Sequence, residues 1–406
     1  MDNMTAPLEG YRVLELASVL AGPAVGQFLA ECGAQVVKVE SLPAGGDMTR
    51  QWKLPAEPTE DDRSAYFTAV NWGKSSLAVD LRHREGRQVI YDLVRQSDIV
   101  ISSYTDSTAA KLGMAYDTLK QHREDIIFGR ITGFGEGEER PAFDALVQAE
   151  AGFMYMNGQP GGPSTKMPVA LMDLLAAHQL KEGILLALLR RGKTGKGSKV
   201  EVSLIDAALS SLANQATNWL VAGHIPEKEG SRHPNIAPYG DTFITGDGKE
   251  IILAVGTDRQ FASLCQVLDL QHLADSPHYT TNTLRVANRA KLVTELSPAF
   301  SRFDGEELVS QLTQNRVPSG IVRKMPEVME KYGKGRVLTT GKNDVRNLSA
   351  TPQFVAKIFG NGTSSHTVPH IAPPPSFGEH SRIILQKMLG YSSQHYSMLK
   401  DKNIIK

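Results

Sequence analysis

Two hydrophobic periods alternate along the first third of the chain, and this alternation restricts the fold more than any other feature of the sequence. Short apolar runs with the length of buried strands lie at 12–16, 35–40, 76–81, 98–102 and 126–131. Stretches with helical spacing lie between several of them, at 22–32, 84–96 and 114–122. Strands and helices that alternate in this way form βαβ units, so the sequence predicts an α/β fold with a mainly parallel sheet.

The pattern continues to about residue 222 and then changes. A long apolar helix pattern, a further strand and another helix pattern occupy 168–191, 199–204 and 205–222. Beyond them lie a turn-rich stretch, a hairpin pattern around Gly246 to Gly248, and amphipathic patterns at 258–268 and 287–300. We therefore expect the N-terminal part of a large Rossmann-like domain over 1–222 and a small α+β domain over 223–330. A segment over 331–406 has too little apolar matter to fold alone, so we expect it to return to the large domain.

Charge and cysteine content exclude several classes of protein. The 406 residues include 44 Lys+Arg and 44 Asp+Glu, so the formal net charge is zero and gives no field for nucleic acid or an anionic membrane. Cys32 and Cys265 are too few and too far apart for a disulfide framework or a thiolate metal cage. The first residues lack the pattern of a secretory signal, and the longest uncharged stretches, at 16–30 and 207–226, are interrupted by Gly, Pro, Gln, Asn and His. We expect a cytoplasmic protein without a nucleic-acid or membrane partner.

Two glycine-containing segments resemble phosphate-binding loops but do not match them. The stretch 20–24 follows the first strand and opens a helix, where free amides can hold a phosphate or a carbonyl oxygen. A dinucleotide fingerprint needs three glycines and this loop has one, so on spacing alone a tight turn is favoured. The stretch 192–198 follows a helix and has Ser198 where a phosphate loop has lysine, so we expect it to stop that helix.

Two aspartates lie among apolar residues. Asp173 is the only ionisable group between Lys166 and His178, in surroundings where an unpaired carboxylate is costly. It is either a helix cap, which is the commoner role for such a residue, or a nucleophile held in a dry site. Asp144 precedes a helix pattern at 145–154 and is open to the same two interpretations.

Metal and thiol chemistry are not indicated. His366 and His370 have the i, i+4 spacing of metal ligands, but Pro369 lies between them, so we expect a loop and no metal site. No cysteine stands near a histidine in a pattern typical of a thiol nucleophile.

An ordered set of short motifs resembles one enzyme family. The motifs lie at 13–16, 20–23, 33–40, 46–50, 131–135, 141–144, 194–197, 247–248 and 378–380. Together they resemble the class III coenzyme A transferases, the CaiB/BaiF family that includes formyl-CoA transferase and carnitine CoA-transferase. The resemblance runs in order from residue 8 to about 395. It implies an interlocked homodimer in which both chain ends build the large domain around a small one.

The resemblance also implies a reaction. The family's nucleophilic aspartate corresponds to Asp173. Its carboxylate attacks the thioester of an acyl-CoA to give an anhydride, and the released thiolate returns to give an aspartyl-CoA thioester that a carboxylic acid resolves. Acyl-CoA and a small carboxylic acid are then the partners, with coenzyme A as a substrate and no tightly bound cofactor.

Positions that match the family's coenzyme A contacts are spread over five segments. They are Leu20, Ala21, Val79, Asp80, Leu81, Arg82, Ser103, Tyr104, Thr105, Lys111, Pro141, Ala142, Phe143 and Asp144. Arg82 and Lys111 can neutralise phosphates. The chain departs from the family at 103–107, which lacks the common Asn-Phe-Arg-Pro-Gly, and at Ser41, where formyl-CoA transferase has arginine. The family's glycine-rich lid is absent from 223–260, so formate and oxalate are poor substrate candidates.

Two alternatives remain. An acyl-CoA racemase on the same scaffold uses a His-Asp pair to exchange the α-proton, and the position before Asp144 is Phe143, which cannot carry a proton. A coenzyme A-binding protein without catalysis is favoured only if Asp173 is dispensable.

Overall fold

Six parallel strands form the main sheet of the computed structural model, which describes residues 6–340, 347–357, 359–360, 363–364 and 371–406. These strands are β1 (Arg12–Leu16), β2 (Gln35–Ser41), β3 (Lys74–Val79), β4 (Ile99–Ser102), β5 (Ile127–Thr132) and β6 (Ser198–Ser203). Their order is β3-β2-β1-β4-β5-β6, with every neighbour parallel. The predicted α/β class is therefore confirmed.

The strand order determines where a ligand can bind. The chain winds outward from β1 through β2 to β3, returns to β4 on the other side of β1, and continues to β6. Loops after β1 and β4 therefore leave the sheet in opposite directions and open a crevice at the carboxyl ends of these two strands.

Helices cover the sheet and complete the first of two compact units, which comprises 6–151, 168–216 and the described residues from 334 onward. Its helices are α1 (Ala21–Glu31), α2 (Ala65–Thr68), α3 (Arg84–Arg95), α4 (Asp106–Leu112), α5 (Tyr116–Lys120), α6 (Asp144–Glu150), α8 (Leu171–Thr194), α9 (Leu204–Ser210), α10 (Ala213–Ala222), α17 (Ser381–Ile383) and α18 (Ser393–Asp401). The end of α10 lies outside this unit. The unit also contains a 3-10 turn at Met48–Gln51 and a π turn at Ile384–Met388.

One hydrophobic cluster joins the sheet to the C-terminal residues. Strand residues such as Leu14 and Val100 share this cluster with Leu399 and Ile405, and all four are buried. Val79 bridges Ile405 in antiparallel fashion at the end of β3. The last residues of the sequence therefore lie against an edge strand of the main sheet.

The second compact unit comprises 152–167 and 217–333. It contains α7 (Phe153–Met156), α11 (Asp258–Val267), α12 (Gln271–Ala274), α13 (Asn282–Ala287), α14 (Arg289–Phe300), α15 (Gly305–Gln314), α16 (Met325–Tyr332) and the antiparallel strands β7 (Tyr239–Ile244), β8 (Glu250–Ala254) and β9 (Ser319–Ile321). Phe243 and Phe300 stack at 4.2 Å in its core. Two short antiparallel strand pairs, β10 (Leu338–Thr339) with β11 (Ser349–Ala350) and β12 (Phe359–Gly360) with β13 (Thr363–Ser364), belong to the first unit and precede α17. The domain bounds at 222 and 330 stay a prediction.

Several predicted helices are interrupted in the structure. The pattern at 205–222 divides into α9 and α10 before Ala213, which has φ of 49°. The pattern at 145–154 divides into α6 and α7 at Gly152, which has φ of 83°. The glycine-rich stretch after α8 does stop that helix, since Gly195 caps it at φ of 69°.

Candidate functional site

Three cavities follow the carboxyl edge of the main sheet. The Asp173 cavity has a volume of about 250 Å³ and is lined mainly by 18–22, 103–105, 130–133, 141–143 and Asp173. The middle cavity, of about 420 Å³, is lined mainly by 16–18, 38–41 and 46–48. The outer cavity, of about 280 Å³, is lined mainly by 39–41, 79–82, Lys111 and Leu112. Tyr104 lines all three, so they are neighbours along one edge.

Asp173 lies in the first turn of α8 and is 9% exposed. The N-cap of α8 is Ala170, and no side chain caps the helix from that position, so Asp173 is not the cap that its sequence context favours. It makes no hydrogen bond or ion pair within the described part of the chain. Burial, followed by the negative charge of Asp144, raises the pKa of Asp173 to about 7. A carboxylate with this pKa is poorly solvated and changes charge near neutral pH.

Asp144 begins α6 and is buried at 8% exposure. Its Oδ1 accepts the backbone N–H of Met172 at 2.8 Å, and its Oδ2 accepts from Nε2 of Gln148 at 2.6 Å. One of the unpaired amides at the start of α8 is thereby satisfied from outside the helix. Asp144 is a cap after all, but the helix that it caps carries Asp173 and begins 27 residues later in the sequence.

The loop after β1 forms one wall of the Asp173 cavity. Val19 has φ of 71°, a left-handed conformation that is uncommon for a β-branched residue. Its N–H is bonded to the carboxylate of Asp47 at 3.2 Å. The N–H groups of Ala21 and Gly22 open α1 and have no partner among the described residues, so they remain available to an oxygen atom in the cavity.

A buried charge cluster supports this loop, and the sequence analysis missed it. Nζ of Lys38 pairs with Glu15 at 3.0 Å and with Asp47 at 2.9 Å, and Nζ of Lys74 pairs with Glu15 at 2.8 Å. All four side chains are almost completely buried. Burial lowers the pKa of Lys74 to about 8, which Glu15 partly offsets. The signal was present in the sequence, because Glu15 and Lys38 interrupt runs that otherwise read as buried apolar strands.

The outer cavity contains the predicted phosphate-binding cations. Arg82 pairs with Asp80 at 2.7 Å, and hydrogen bonds from Arg82 hold the pKa of Asp80 below its ordinary value. The charge of Arg82 is therefore largely compensated. Lys111 lies on α4, is exposed and forms no ion pair with a described residue. Lys111 is thus the better candidate for an anionic group.

The cavities bring together almost all residues that the sequence analysis predicted. Leu20, Ala21, Ser103, Tyr104, Thr105, Pro141, Ala142, Phe143 and Asp173 line the Asp173 cavity, while Val79, Asp80, Leu81, Arg82 and Lys111 line the outer one. Asp144 is buried and lines none of these three cavities. The structure adds Arg130 and Thr132, from the end of β5, which the analysis had treated as ordinary strand residues.

The described residues contain neither a metal-binding cluster nor a membrane-spanning helix. No group of three or more His, Cys, Asp or Glu side chains in that part of the chain could hold a metal ion. His366 and His370 lie outside the described residues. No described helix has the length and apolarity needed to cross a bilayer.

Comparison with known proteins identifies the family. The sequence matches the family model described as CoA-transferase family III over residues 8–381. The chain belongs to this family. The resemblance found in the sequence is therefore confirmed, and the protein is an enzyme that transfers coenzyme A.

Curated relatives and a crystal structure extend over nearly the whole chain. A succinate–glutarate CoA-transferase of Agrobacterium fabrum is 34% identical over 397 residues, which cover 96% of this chain and 97% of the relative. The human succinyl-CoA:glutarate CoA-transferase is 32% identical and covers 99% of this chain and 91% of its own. A CaiB/BaiF family protein from Brucella suis has a crystal structure similar to this one, with a TM-score of 0.81, 34% identity and coverage of 95% of this chain and 100% of its own.

Proposed function

We propose that this family III enzyme moves coenzyme A from an acyl-CoA to a carboxylic acid through covalent intermediates on Asp173. The observation that carries the proposal is a buried carboxylate, without a partner among the described residues, in a cavity at the carboxyl edge of a Rossmann-like sheet. Its pKa of about 7 leaves a large ionised fraction at neutral pH, and loss of water makes that fraction more reactive. The relatives transfer coenzyme A between acids, which supports the same reaction class here.

The steps balance without an added reactant. A carboxylate oxygen of Asp173 attacks the thioester carbonyl carbon, the C–S bond breaks, and the coenzyme A thiolate leaves an acyl-aspartyl anhydride. The thiolate attacks the aspartyl carbonyl and releases the donor acid. The acceptor carboxylate attacks the aspartyl carbonyl of this thioester, the C–S bond breaks, and the coenzyme A thiolate leaves a new anhydride between Asp173 and the acceptor. The thiolate then attacks the acceptor's acyl carbon in this anhydride. This last step forms the product thioester and restores the Asp173 carboxylate.

The walls of the Asp173 cavity supply stabilisation for these steps. Each tetrahedral intermediate carries a developing oxyanion, and the free N–H groups of Ala21 and Gly22 are donors of the required kind. The positive end of the α1 dipole acts in the same direction.

The three cavities provide a route for coenzyme A. We place the nucleotide in the outer cavity near Lys111, the pantetheine arm past Tyr104, and the thioester at Asp173. Burial raises the pKa of Tyr104, so its hydroxyl stays protonated and can donate to an amide oxygen of the arm. Coenzyme A is then a substrate and not a resident cofactor.

The assembly belongs to the proposal as well. We propose an interlocked homodimer whose large domain uses both chain ends, with the enzyme in the cytoplasm. Leu185, Leu186 and Leu189 on α8 are 37%, 66% and 65% exposed, and such an apolar stripe is typical of a covered surface. Light scattering tests the dimer. Interlocked rings further predict that two differently tagged dimers do not exchange subunits until they are unfolded.

The covalent step has a direct test. The protein is incubated with an acyl-CoA and hydroxylamine, which traps an activated carboxyl group as a hydroxamate, and digested for mass spectrometry. We expect a modification at Asp173 and no turnover by Asp173→Ala. Asp117→Ala, at an exposed first-turn aspartate of α5, is the matched control and should retain activity. An unmodified Asp173 together with an active Asp173→Ala variant would exclude the mechanism.

The racemase alternative predicts a different signal. Both carboxylate oxygens of Asp144 accept hydrogen bonds from Met172 and Gln148, and Phe143 precedes it. Deuterium from solvent should not enter the α-carbon of an acyl-CoA in the absence of an acceptor acid. Its incorporation would favour racemisation.

A further inference from the structure

The loop over 133–142 joins β5 to α6 and forms part of the wall of the Asp173 cavity. Its two ends touch, because a Cβ at Gly133 would lie 2.0 Å from the Cβ of Ala142. Both ends are anchored: the carbonyl of Gly133 accepts the N–H of Ile205 at 3.1 Å, and Asp144, close behind the other end, bonds to the start of α8 at 2.8 Å. A segment whose ends meet in this way is an Ω-loop, so its tip can move while its base stays fixed.

The tip of this loop, at 135–140, has no buried residue. Gly135 and Gly137 have φ of 110° and 77°, and a Cβ at either position would meet no described atom within 4 Å. Arg140 binds Glu150 on α6, which belongs to the base side of the loop. Because no buried apolar side chain holds the tip, it can open at a low cost in free energy.

Two residues at the start of α4 hold the tip from the opposite wall. The carboxylate of Glu139 accepts the N–H of Ser107 at 2.9 Å and the hydroxyl of the same residue at 2.7 Å. The carboxylate of Asp106 accepts the N–H of Gly137 and is itself held by Arg130 at 2.6 Å. Hydrogen bonds from Ser107 keep the pKa of Glu139 below its ordinary value, so this contact is formed by a charged carboxylate at neutral pH.

These contacts lie where the Asp173 cavity meets the outer cavity. Ser107 stands between Thr105, which lines the Asp173 cavity, and Thr108, which lines the outer one. On the loop, Glu139 stands between two residues that both line the Asp173 cavity. The bonds between Glu139 and Ser107 therefore join the two walls beside Tyr104, where we route the pantetheine arm of coenzyme A.

The contacts depend on residues in which this chain departs from its family. Asp106 and Ser107 end the stretch 103–107, which lacks the common Asn-Phe-Arg-Pro-Gly. Proline offers no carboxylate to the N–H of Gly137, and glycine offers no hydroxyl to Glu139. The arrangement is therefore a feature of this sequence and not of the common pattern.

We propose that the contacts of Glu139 with Ser107 and of Gly137 with Asp106 form a latch that gates the Asp173 cavity. The latch opens to admit the thioester end of an acyl-CoA and closes over the pantetheine arm behind it. Hydrogen bonds between exposed groups suit this purpose, because each contributes little net free energy and breaks readily. A closed wall keeps water from the anhydride and thioester intermediates. This inference rests on the proposed function, because it concerns access to Asp173.

An Asp173→Cys variant reports the arrival of the coenzyme A sulfur without the carboxylate chemistry. Its thiolate attacks the mixed disulfide of coenzyme A and thiopyridine, a protein–coenzyme A disulfide forms, and thiopyridine leaves and is followed by absorbance. Cys32 and Cys265 are buried and should not react. Only the open protein reacts, so the second-order rate constant reports the open fraction. We expect Ser107→Ala in this background to raise it about fivefold, and Glu139→Ala at least as much.

The matched control is Glu136→Ala, which removes the same charge from the same loop. Glu136 is exposed and pairs with Lys199 of β6 at 3.8 Å, so its loss should leave the rate constant nearly unchanged. Methyl methanethiosulfonate has no long arm, and its reaction corrects for any change in the reactivity of the new thiol. An unchanged rate constant in Ser107→Ala, or equal acceleration by Glu136→Ala and Glu139→Ala, would overturn the latch.

A second experiment holds the latch closed. In a Ser107→Cys, Glu139→Cys variant, a short bifunctional methanethiosulfonate bridges the two thiols, and dithiothreitol removes the bridge. We expect coenzyme A transfer to fall at least about tenfold in the bridged protein and to recover on reduction. Either single variant should keep its rate after the same treatment. A bridged protein that works as fast as the reduced one would contradict the gate.

The labelling experiment separates this inference from the proposed function. If Ser107→Ala accelerates labelling but hydroxylamine traps no modification at Asp173, the covalent mechanism fails and the latch stands. If Asp173 is modified but Ser107→Ala does not change the labelling rate, the latch fails and the mechanism stands. If the coenzyme A disulfide does not label Asp173→Cys while methyl methanethiosulfonate does, the arm does not reach Asp173 and both fail.

Discussion

The carboxylate of Asp47 accepts the backbone N–H of Val19 at 3.2 Å and thereby bonds a residue whose φ is 71°. The same carboxylate is paired with Lys38 at 2.9 Å inside the protein. Burial alone raises the pKa of Asp47, but the ammonium group of Lys38 and the hydrogen bonds from Thr49 together outweigh this effect and hold that pKa below its ordinary value. One side chain therefore links the buried charge cluster to the backbone of the cavity wall.

Replacement of Asp47 should separate these two roles. Asp47→Ala leaves Lys38 short of a buried counter-charge, and we expect a loss of about 3 kcal/mol in the free energy of unfolding, measured in urea. Asp47→Asn keeps an acceptor for the N–H of Val19 and should keep a lower KM for acyl-CoA than Asp47→Ala. Equal KM values in the two variants would show that the bond to Val19 has no part in substrate binding.

The rate should depend on pH through Asp173. Only the ionised carboxylate is a nucleophile, and its pKa is raised to about 7 by burial and by Asp144. We expect kcat/KM to rise about tenfold per pH unit below pH 7 and to level off above it. Loss of the Asp144 charge in Asp144→Asn should move the midpoint to lower pH. A profile that is flat between pH 5 and pH 8 would contradict this assignment.

Ionisation of Asp173 should lower the free energy of unfolding as the pH rises, whereas it should increase the rate. The pKa of Asp173 is higher in the folded protein than the ordinary value of 3.8, so ionisation disfavours folding. Its penalty is absent below pH 3.8, grows as the pH rises toward 7, and is constant above that value. Asp173→Asn should therefore raise Tm at pH 8 and change it much less at pH 5. The upper limit of the gain is about 4 kcal/mol.

Gly26 tests how tightly the buried cluster is packed. A Cβ at this position of α1 would lie 1.8 Å from Oε2 of Glu15, a contact that requires the buried carboxylate to move. We expect Gly26→Ala to destabilise the protein by more than about 3 kcal/mol, because the pairs of Glu15 with both lysines would break. Gly192→Ala on α8 is the control: its Cβ would meet nothing within 4 Å, and alanine should stabilise the helix by up to about 1 kcal/mol.

Lys111 and Arg82 should differ in their effect on coenzyme A. Arg82 already pairs with Asp80, whereas Lys111 has no ion pair with a described residue. We expect Lys111→Ala to weaken coenzyme A binding about tenfold, more than Arg82→Ala does, as measured by calorimetry at low salt. The difference should shrink at high salt, because both groups are exposed. A larger effect from Arg82→Ala would place the phosphates on the other side of the outer cavity.

Strand positions could be predicted from the sequence because runs of valine and isoleucine mark buried strands. The predicted run at 126–131 and the observed β5 differ by one residue at each end. The sequence did not predict a helix end that depends on the backbone conformation of a single residue. Ala213, with its positive φ, breaks an apolar pattern that continues without interruption in the sequence. The helix at Ser393–Asp401 was not predicted, since only Leu399 in it is buried.

In the site as well, residues within recognisable motifs could be predicted, whereas roles that depend on contacts between distant segments could not. Tyr104 and Lys111 were predicted as coenzyme A contacts through the resemblance to the family, whose ordered motifs align this part of the chain after β4. The role of Asp144 could not be predicted, since it depends on a hydrogen bond to Met172. Arg130 was missed for a similar reason: nothing in its sequence neighbours indicates that its side chain lines the Asp173 cavity.

The bond between Asp144 and the N–H of Met172 has a mechanical consequence. It ties the segment that follows β5 to the first turn of the helix that carries Asp173. Any ligand that pushes residues 141–144 outward must either sever this tether or drag the reactive carboxylate along with them. If Asp173 is the nucleophile, as proposed, substrate entry past 141–144 is coupled to the position of its carboxylate through this hydrogen bond.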